Sequence, residues 1–318
     1  MYFNYKNNFL HGITFHHFHD GKKHLPGQGS INKSKFKKII NHIGRRNILD
    51  PEIFVHEINN KKFNSRSVCL TFDDSLRCQY DIALPVLQEY KIKAFFFIYS
   101  SALSNKPDLL EIYRYFRLNF FSSVDEFYSS FFKNLVNADV KSVEDFLKKN
   151  KKLINEWKKK YKFYSLNDIK FRLVRDLHLN KKQYEKTMKK MFQEKKFNYK
   201  KILKNIFLSK YNLKRLYSLG HKIGLHSHTH PTNIDLQSYK KQLNEYKKNQ
   251  EFLKKILNCK NLNSMSHPCG KFNKDTFKAL DILNVDIAFK QEMPRTQKKN
   301  FSNLEIFRED HANIINRI

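Results

Sequence analysis

The stretch that most constrains this chain is Val68-Cys69-Leu70-Thr71-Phe72, which runs straight into Asp73 and Asp74. Five residues with almost no polar alternation, bounded by carboxylates, are what a strand covered on both faces looks like. Such strands belong to parallel sheets flanked by helices. The surrounding chain repeats the pattern. Gly12-Ile13-Thr14-Phe15 reads as a strand, followed by a polar loop through His24-Leu25-Pro26-Gly27-Gln28-Gly29 and a helix from about Ser34 to Gly44. A helix from Ala83 to Tyr90 leads into a strand at Ala94 to Ile98. Further on, a helix from Tyr211 stops at Gly220, a usual C-terminal signal, and Lys222-Ile223-Gly224-Leu225 reads as the next strand. A long helix is expected from Leu236 to Ile256. Strand–helix–strand alternation implies a parallel α/β sheet or barrel.

Residues 104–208 interrupt that texture. They contain no glycine, are rich in Lys and Phe, and show helical spacing at Val140–Trp157 and Lys181–Phe192. The expected organisation is therefore residues 1–103 and 209–318 as two parts of one α/β domain, with 104–208 as a helical insertion or lid. With 40% hydrophobic and 14% aromatic residues, the 318-residue chain is not a disordered one. Its formal charge of +31 would draw in nucleic acid, anionic lipid or a phosphate-bearing substrate, although the wealth of Lys, Asn, Ile and Phe also fits a codon bias. Basic and aromatic residues are spread along the whole chain with no recognisable nucleic-acid module, which argues against that partner. The four cysteines (Cys69, Cys78, Cys259, Cys269) include no CxxC pair, and the first twenty residues have no apolar core. The expectation is a reduced, cytoplasmic protein without a signal peptide.

Two segments carry chemistry, and both follow a strand: Asp73-Asp74, and His226-Ser227-His228-Thr229-His230-Pro231. Functional groups in parallel α/β folds collect at the carboxyl ends of strands, so one pocket can receive both. A carboxylate plus two imidazoles is a common shell for a catalytic Zn²⁺ with one position open. One aspartate would then ligate the metal and the other would act as general base; the residues alone do not say which. His11, His16, His17, His19 and His24 form an N-terminal cluster that includes bystanders and could line a pocket mouth.

"VCLTFDDS…YDIALPVLQEYKIKAFFFI" resembles the first motif of the polysaccharide deacetylases (the NodB-homology group, carbohydrate esterase family 4). "LKRLYSLGHKIGLHSHTHP" resembles their second motif and "SMSHPCGKFN" a degenerate third. The likeness covers about residues 10–103 and 209–318. It implies a distorted, incomplete (β/α) barrel with the helical insertion between the first and second motifs. By matching position, Asp73 would be the general base, Asp74, His226 and His230 the ligands of one divalent ion such as Zn²⁺, and Ser227 the residue that steadies the loop. In Pro268-Cys269-Gly270, where the family usually has Pro-Tyr-Gly, the Cys269 backbone N–H would help bind the oxyanion.

This sequence departs from the family in several places. Ser75 stands where a glycine is usual, and Ser266 where an arginine often pairs with the base. Arg308 in "IFREDH" is the candidate replacement, and His311 the candidate general acid. The implied reaction is removal of an N-acetyl group from an amino sugar in cell-surface polysaccharide or lipopolysaccharide biosynthesis. The substrate would be a nucleotide sugar or lipid-linked glycan met in the cytoplasm or, peripherally, at an anionic inner membrane face. Two other readings stay open: a non-catalytic glycan- or membrane-surface-binding protein, and a hydrolase of a non-sugar C–N bond.

Overall fold

The computed structural model of the chain describes residues 2–3, 8–63, 66–104, 106–135, 137–160, 164–294 and 302–318. It divides into two compact units, Met1–Asp108 with Lys204–Ile318, and Leu109–Leu203.

The first unit is a seven-stranded sheet in which every pairing is parallel. Its strands are β1 (His11–Phe15), β2 (Val68–Phe72), β3 (Phe95–Ile98), β4 (Lys222–Leu225), β5 (Ser264–Ser266), β6 (Ile287–Phe289) and β7 (Arg308–Asp310). The order is β6-β5-β4-β3-β2-β1-β7. The open edges meet through the approach to β7. The Ile306 N–H donates to Ala288 O at 2.9 Å and the Lys290 N–H to Ile306 O at 2.9 Å, two residues before the chain joins β1. The result is a nearly closed, distorted (β/α) barrel with helices around it, the architecture expected from the alternating segments.

The two faces of the strands divide the core. Ile13, Phe15, Leu70, Phe72, Phe96, Ile98, Ile223 and Leu225 pack with surrounding helices. Cys69, Phe95, Phe97, Ile287 and Phe289 form a second cluster with Phe54 and Ile58 of the helix Pro51–Asn59. Because strand side chains alternate, Thr71 and Asp73 lie on the same face as Cys69. That face is apolar at the start of β2 and polar at its end, and there the site begins.

Three helix expectations need correction. The spacing predicted one helix over Val140–Trp157, but the chain forms two, Asn137–Lys149 and Lys151–Lys160, with Asn150 turning between them and its Nδ2 donating to Phe146 O at 2.8 Å. The long helix starts at Tyr239, because Ile234–Leu236 is a separate 3₁₀ turn. The helix expected from Ala83 is preceded by a π-turn at Gln79–Ala83. The second unit is built of helices among its described residues. Phe116, Phe127, Phe131, Phe171, Met188, Met191 and Phe192 are all buried in it. Among the described residues, no helix is long and apolar enough to cross a membrane.

One buried histidine gives this fold a pH signature. His11 is completely buried, with Nδ1 2.7 Å from Phe9 O and Nε2 2.7 Å from the Tyr2 hydroxyl, an arrangement that suits the neutral ring. Burial pushes its pKa down to about 4. Below about 6.5 the unfolded chain takes up a proton that the folded chain refuses, so stability falls as pH drops towards 4, by about 3 kcal/mol from this group. Denaturant unfolding across that range should show this slope in the wild type, and His11→Gln should lack that part of it.

Candidate active site

Asp73 follows β2 directly, and the next two residues turn with positive φ, 75° at Asp74 and 59° at Ser75. This left-handed turn brings Asp74 round to the mouth that Asp73 already faces, where a continuing strand would point the two apart. It also explains why glycine is the easy residue at position 75: a side chain there carries backbone strain of about 1 kcal/mol or more. Ser75 offsets that strain. Its Oγ accepts the Tyr99 N–H at 3.0 Å and donates to Tyr99 O at 3.3 Å, tying the exits of β2 and β3 together.

The exit of β4 is strained in the same way, with φ of 65° at Ser227 and 53° at His230. Ser227 Oγ accepts the His230 N–H at 3.0 Å, the loop-steadying contact that the resemblance implied. His226 Nδ1 lies 2.7 Å from Ser266 O, so this nitrogen carries the proton and Nε2 is left to ligate. His226 Nε2 and His230 Nε2 lie 3.3 and 3.4 Å from the same Asp74 oxygen. One ligand atom from each of Asp74, His226 and His230 lies within 4.8 Å of the others. A tetrahedral ion with bonds of roughly 2.0–2.1 Å separates its ligands by about 3.3–3.4 Å, the span from the Asp74 oxygen to each imidazole, so this group could hold a cation.

Beside this group, Asp73 is held by Arg308. Nη1 reaches Asp73 Oδ1 and Nη2 reaches Oδ2, both at 2.8 Å, and Ser266 Oγ donates to Oδ2 at 3.0 Å. Arg308 is in turn fixed through Nη1 to Thr71 Oγ1 at 3.2 Å and Nε to Lys290 O at 3.0 Å. Its stem needs a glycine beneath it, since a Cβ on Gly12 would lie 2.9 Å from Arg308 Cγ. Burial alone would push the Asp73 carboxyl up, but the Arg308 charge, with that of His226 and the Arg308 hydrogen bond, holds it below the usual carboxylate range. Asp73 is therefore an ionised carboxylate held in one orientation.

His311 occupies a different place from the one its sequence position implied. Its two ring nitrogens each lie 3.1 Å from a backbone carbonyl, Nδ1 from Thr14 and Nε2 from Gly29, and its ring stacks on Phe15. Both nitrogens thus face backbone carbonyls rather than Asp73 or Asp74. Besides His226 and His230, the imidazole that faces the carboxylates is His16, with Nε2 3.9 Å from both Asp73 Oδ2 and Asp74 Oδ2 and the side chain 23% exposed. His16 is the first residue after β1, just as Asp73 follows β2 and His226 follows β4, and this strand-end position is the signal that separates it from its neighbours. Its loop is anchored by Gln79, whose Nε2 donates to His16 O at 2.9 Å and to Asp73 O at 2.6 Å. Cys269 lies in the turn Pro268–Gly270, one residue beyond β5, with φ 54°, an exposed side chain and a buried Pro268 before it.

Two carboxylates and three imidazoles thus gather at the carboxyl ends of β1, β2 and β4 of a (β/α) barrel, and one trio of them could hold a cation. The chain belongs to the polysaccharide deacetylase family, whose model matches residues 60–118 and 178–288, a little over half of it. Solved structures agree on the fold. The Streptococcus pyogenes deacetylase PplD, determined with acetate, is similar with a TM-score of 0.55 at 16% identity, covering 97% of each chain. IcaB from Ammonifex degensii gives 0.57 at 11% identity over 97% of this chain and 96% of its own. A de-N-acetylase from Aggregatibacter actinomycetemcomitans gives 0.54 at 12% identity over 98% and 100%. A comparison with curated proteins finds no match.

Proposed function

We propose that this protein is a metal-dependent hydrolase that removes an acetyl group from the nitrogen of an amino sugar in a glycan or glycan precursor. The observation that carries the reading is the ionised Asp73, clamped by Arg308, standing beside the cation-sized group Asp74–His226–His230. A divalent ion held by those three residues would supply Lewis acidity, polarising the amide carbonyl and acidifying a water.

The chain's own groups divide the remaining work. Asp73 takes the proton from the attacking water, while Arg308 and Ser266 keep its oxygens aimed. The Cys269 N–H stabilises the developing oxyanion, a task that survives replacement of the usual Tyr because it belongs to the backbone. His16 holds the proton that the departing amine requires. His16→Gln should lower kcat on an N-acetyl sugar by about 10²-fold yet spare hydrolysis of an activated acetyl ester, whose leaving group needs no proton. Equal losses on both substrates would remove His16 from this part.

For the substrate, the net charge of +31 favours an acceptor bearing phosphate, a nucleotide sugar or lipid-linked glycan, met in the cytoplasm or at an anionic membrane face. The test is acetate release from such compounds by the metal-stripped protein and after Zn²⁺ is restored, at rising ionic strength. Zn²⁺-dependent release that weakens with salt is expected. Undiminished release from the stripped protein would overturn metal dependence, and Zn²⁺ uptake without release from any substrate would point to a glycan-binding protein.

A further inference from the structure

The loop that carries His226 and His230 is held in a strained shape by a helix that supplies no ligand. Two of its five residues, Ser227 and His230, have positive φ, at a cost on the order of 1 kcal/mol or more each. Four of its backbone N–H groups end on side-chain acceptors. Ser227 Oγ takes that of His230, and the other three go to the helix Tyr239–Leu257. Asn249 Oδ1 accepts the His226 N–H at 2.9 Å. Glu245 Oε2 accepts the His228 N–H at 3.0 Å and the Thr229 N–H at 2.8 Å, and its Oε1 accepts the Thr229 hydroxyl at 3.0 Å. Consecutive N–H groups converging on one carboxylate oxygen form a backbone nest closed by a charge from within the protein.

The helix is built for this task. Glu245 and Asn249 stand one turn apart on one face. Asn249 is fully buried, and its Nδ2 donates to Ile98 O at 2.9 Å, so one side chain bridges the exits of β3 and β4. Tight packing alone would favour leucine at such a position. Asparagine there makes sense as a device that fixes where β4 releases the chain, and hence where His226 begins.

We infer that Glu245 and Asn249 are positioning residues that set the separation of His226 and His230, and through it the affinity of the site for its cation; this rests on the metal-centre reading above. Partners one step removed from metal ligands typically change affinity 10–100-fold when lost. Glu245 could also act simply as a negative charge near the ion, and two conservative variants separate the two roles. Glu245→Gln keeps the length and an acceptor oxygen for the nest but loses the charge. Glu245→Asp keeps the charge but is one methylene too short to hold the loop.

The experiment titrates the metal-stripped full-length chain with Zn²⁺ against a chromophoric chelator. E245Q is expected within about fivefold of the wild type and E245D 10–100-fold weaker. The reverse order makes Glu245 a plain charge and overturns the inference, as do equal affinities in all three proteins. A wild type that takes up no Zn²⁺ overturns the metal-centre reading itself, before any variant is compared. Amide exchange on the metal-free wild type gives an independent check that needs no variant. The His228 and Thr229 amides should be strongly protected, and free exchange at both would sink the positioning role.

Discussion

Asp73→Asn is expected to retain Zn²⁺ while losing about 10³–10⁴ in kcat for acetate release. The substitution keeps the shape of the side chain and one acceptor oxygen, but an amide does not take a proton from water. General-base contributions commonly span about 10²–10⁴-fold, and the upper end is expected because no other described carboxylate shares this position: Asp74, the neighbour, is committed to His226 and His230. A loss of that size is about 4–5 kcal/mol of transition-state stabilisation. Metal uptake should survive because none of the three ligands changes. The variant also leaves the buried Arg308 without its counter-charge, so turnover must be expressed per folded protein at a temperature where circular dichroism shows the native fold. Turnover equal to wild type under those conditions would remove Asp73 as the base.

Arg308→Met should cost about 3–5 kcal/mol of stability, the usual penalty for stranding one partner of a buried ion pair. Arg308 is 1% exposed and Asp73 2%, so water does not replace the lost guanidinium. The diagnostic result is the double variant. Asp73→Asn combined with Arg308→Met removes both charges, and denaturant unfolding should place it well above the sum of the two single losses. Simple additivity would mean that the 2.8 Å contacts contribute little to one another and that Arg308 acts only through its packing.

Much of this site is legible in the sequence for one physical reason. β2 and β4 are covered on both faces, so they appear as apolar runs, and the residues at which those runs end, Asp73, Asp74 and His226, are the ones the barrel gathers. The same logic fails for β5 and β7, which read Ser-Met-Ser and Arg-Glu-Asp. They are largely buried, but Ser266 and Arg308 spend their polar groups on Asp73, so hydrophobicity does not reveal them. Arg308 was reachable only as a candidate for a missing partner, and the geometry that commits it to Asp73 depends on Gly12, almost three hundred residues earlier. His16 was hidden among four other histidines, and His311 drew attention by lying late in the chain, although its ring is turned to two carbonyls. Glu245 and Asn249 were invisible for another reason: a helix crowded with Lys, Glu, Asn and Gln reads as solvated, and only the fold shows which of those groups face inward.

Arg308 enters on β7, the strand that shuts the gap between β1 and the chain beside β6. An edge strand of three residues can lift away at a fraction of the free energy of global unfolding. Such an excursion would leave the pairing of the other six strands intact and strip the base of its countercharge. The orientation of Asp73 is thus tied to closure of the barrel at a strand of only three residues, the one nearest the chain's end.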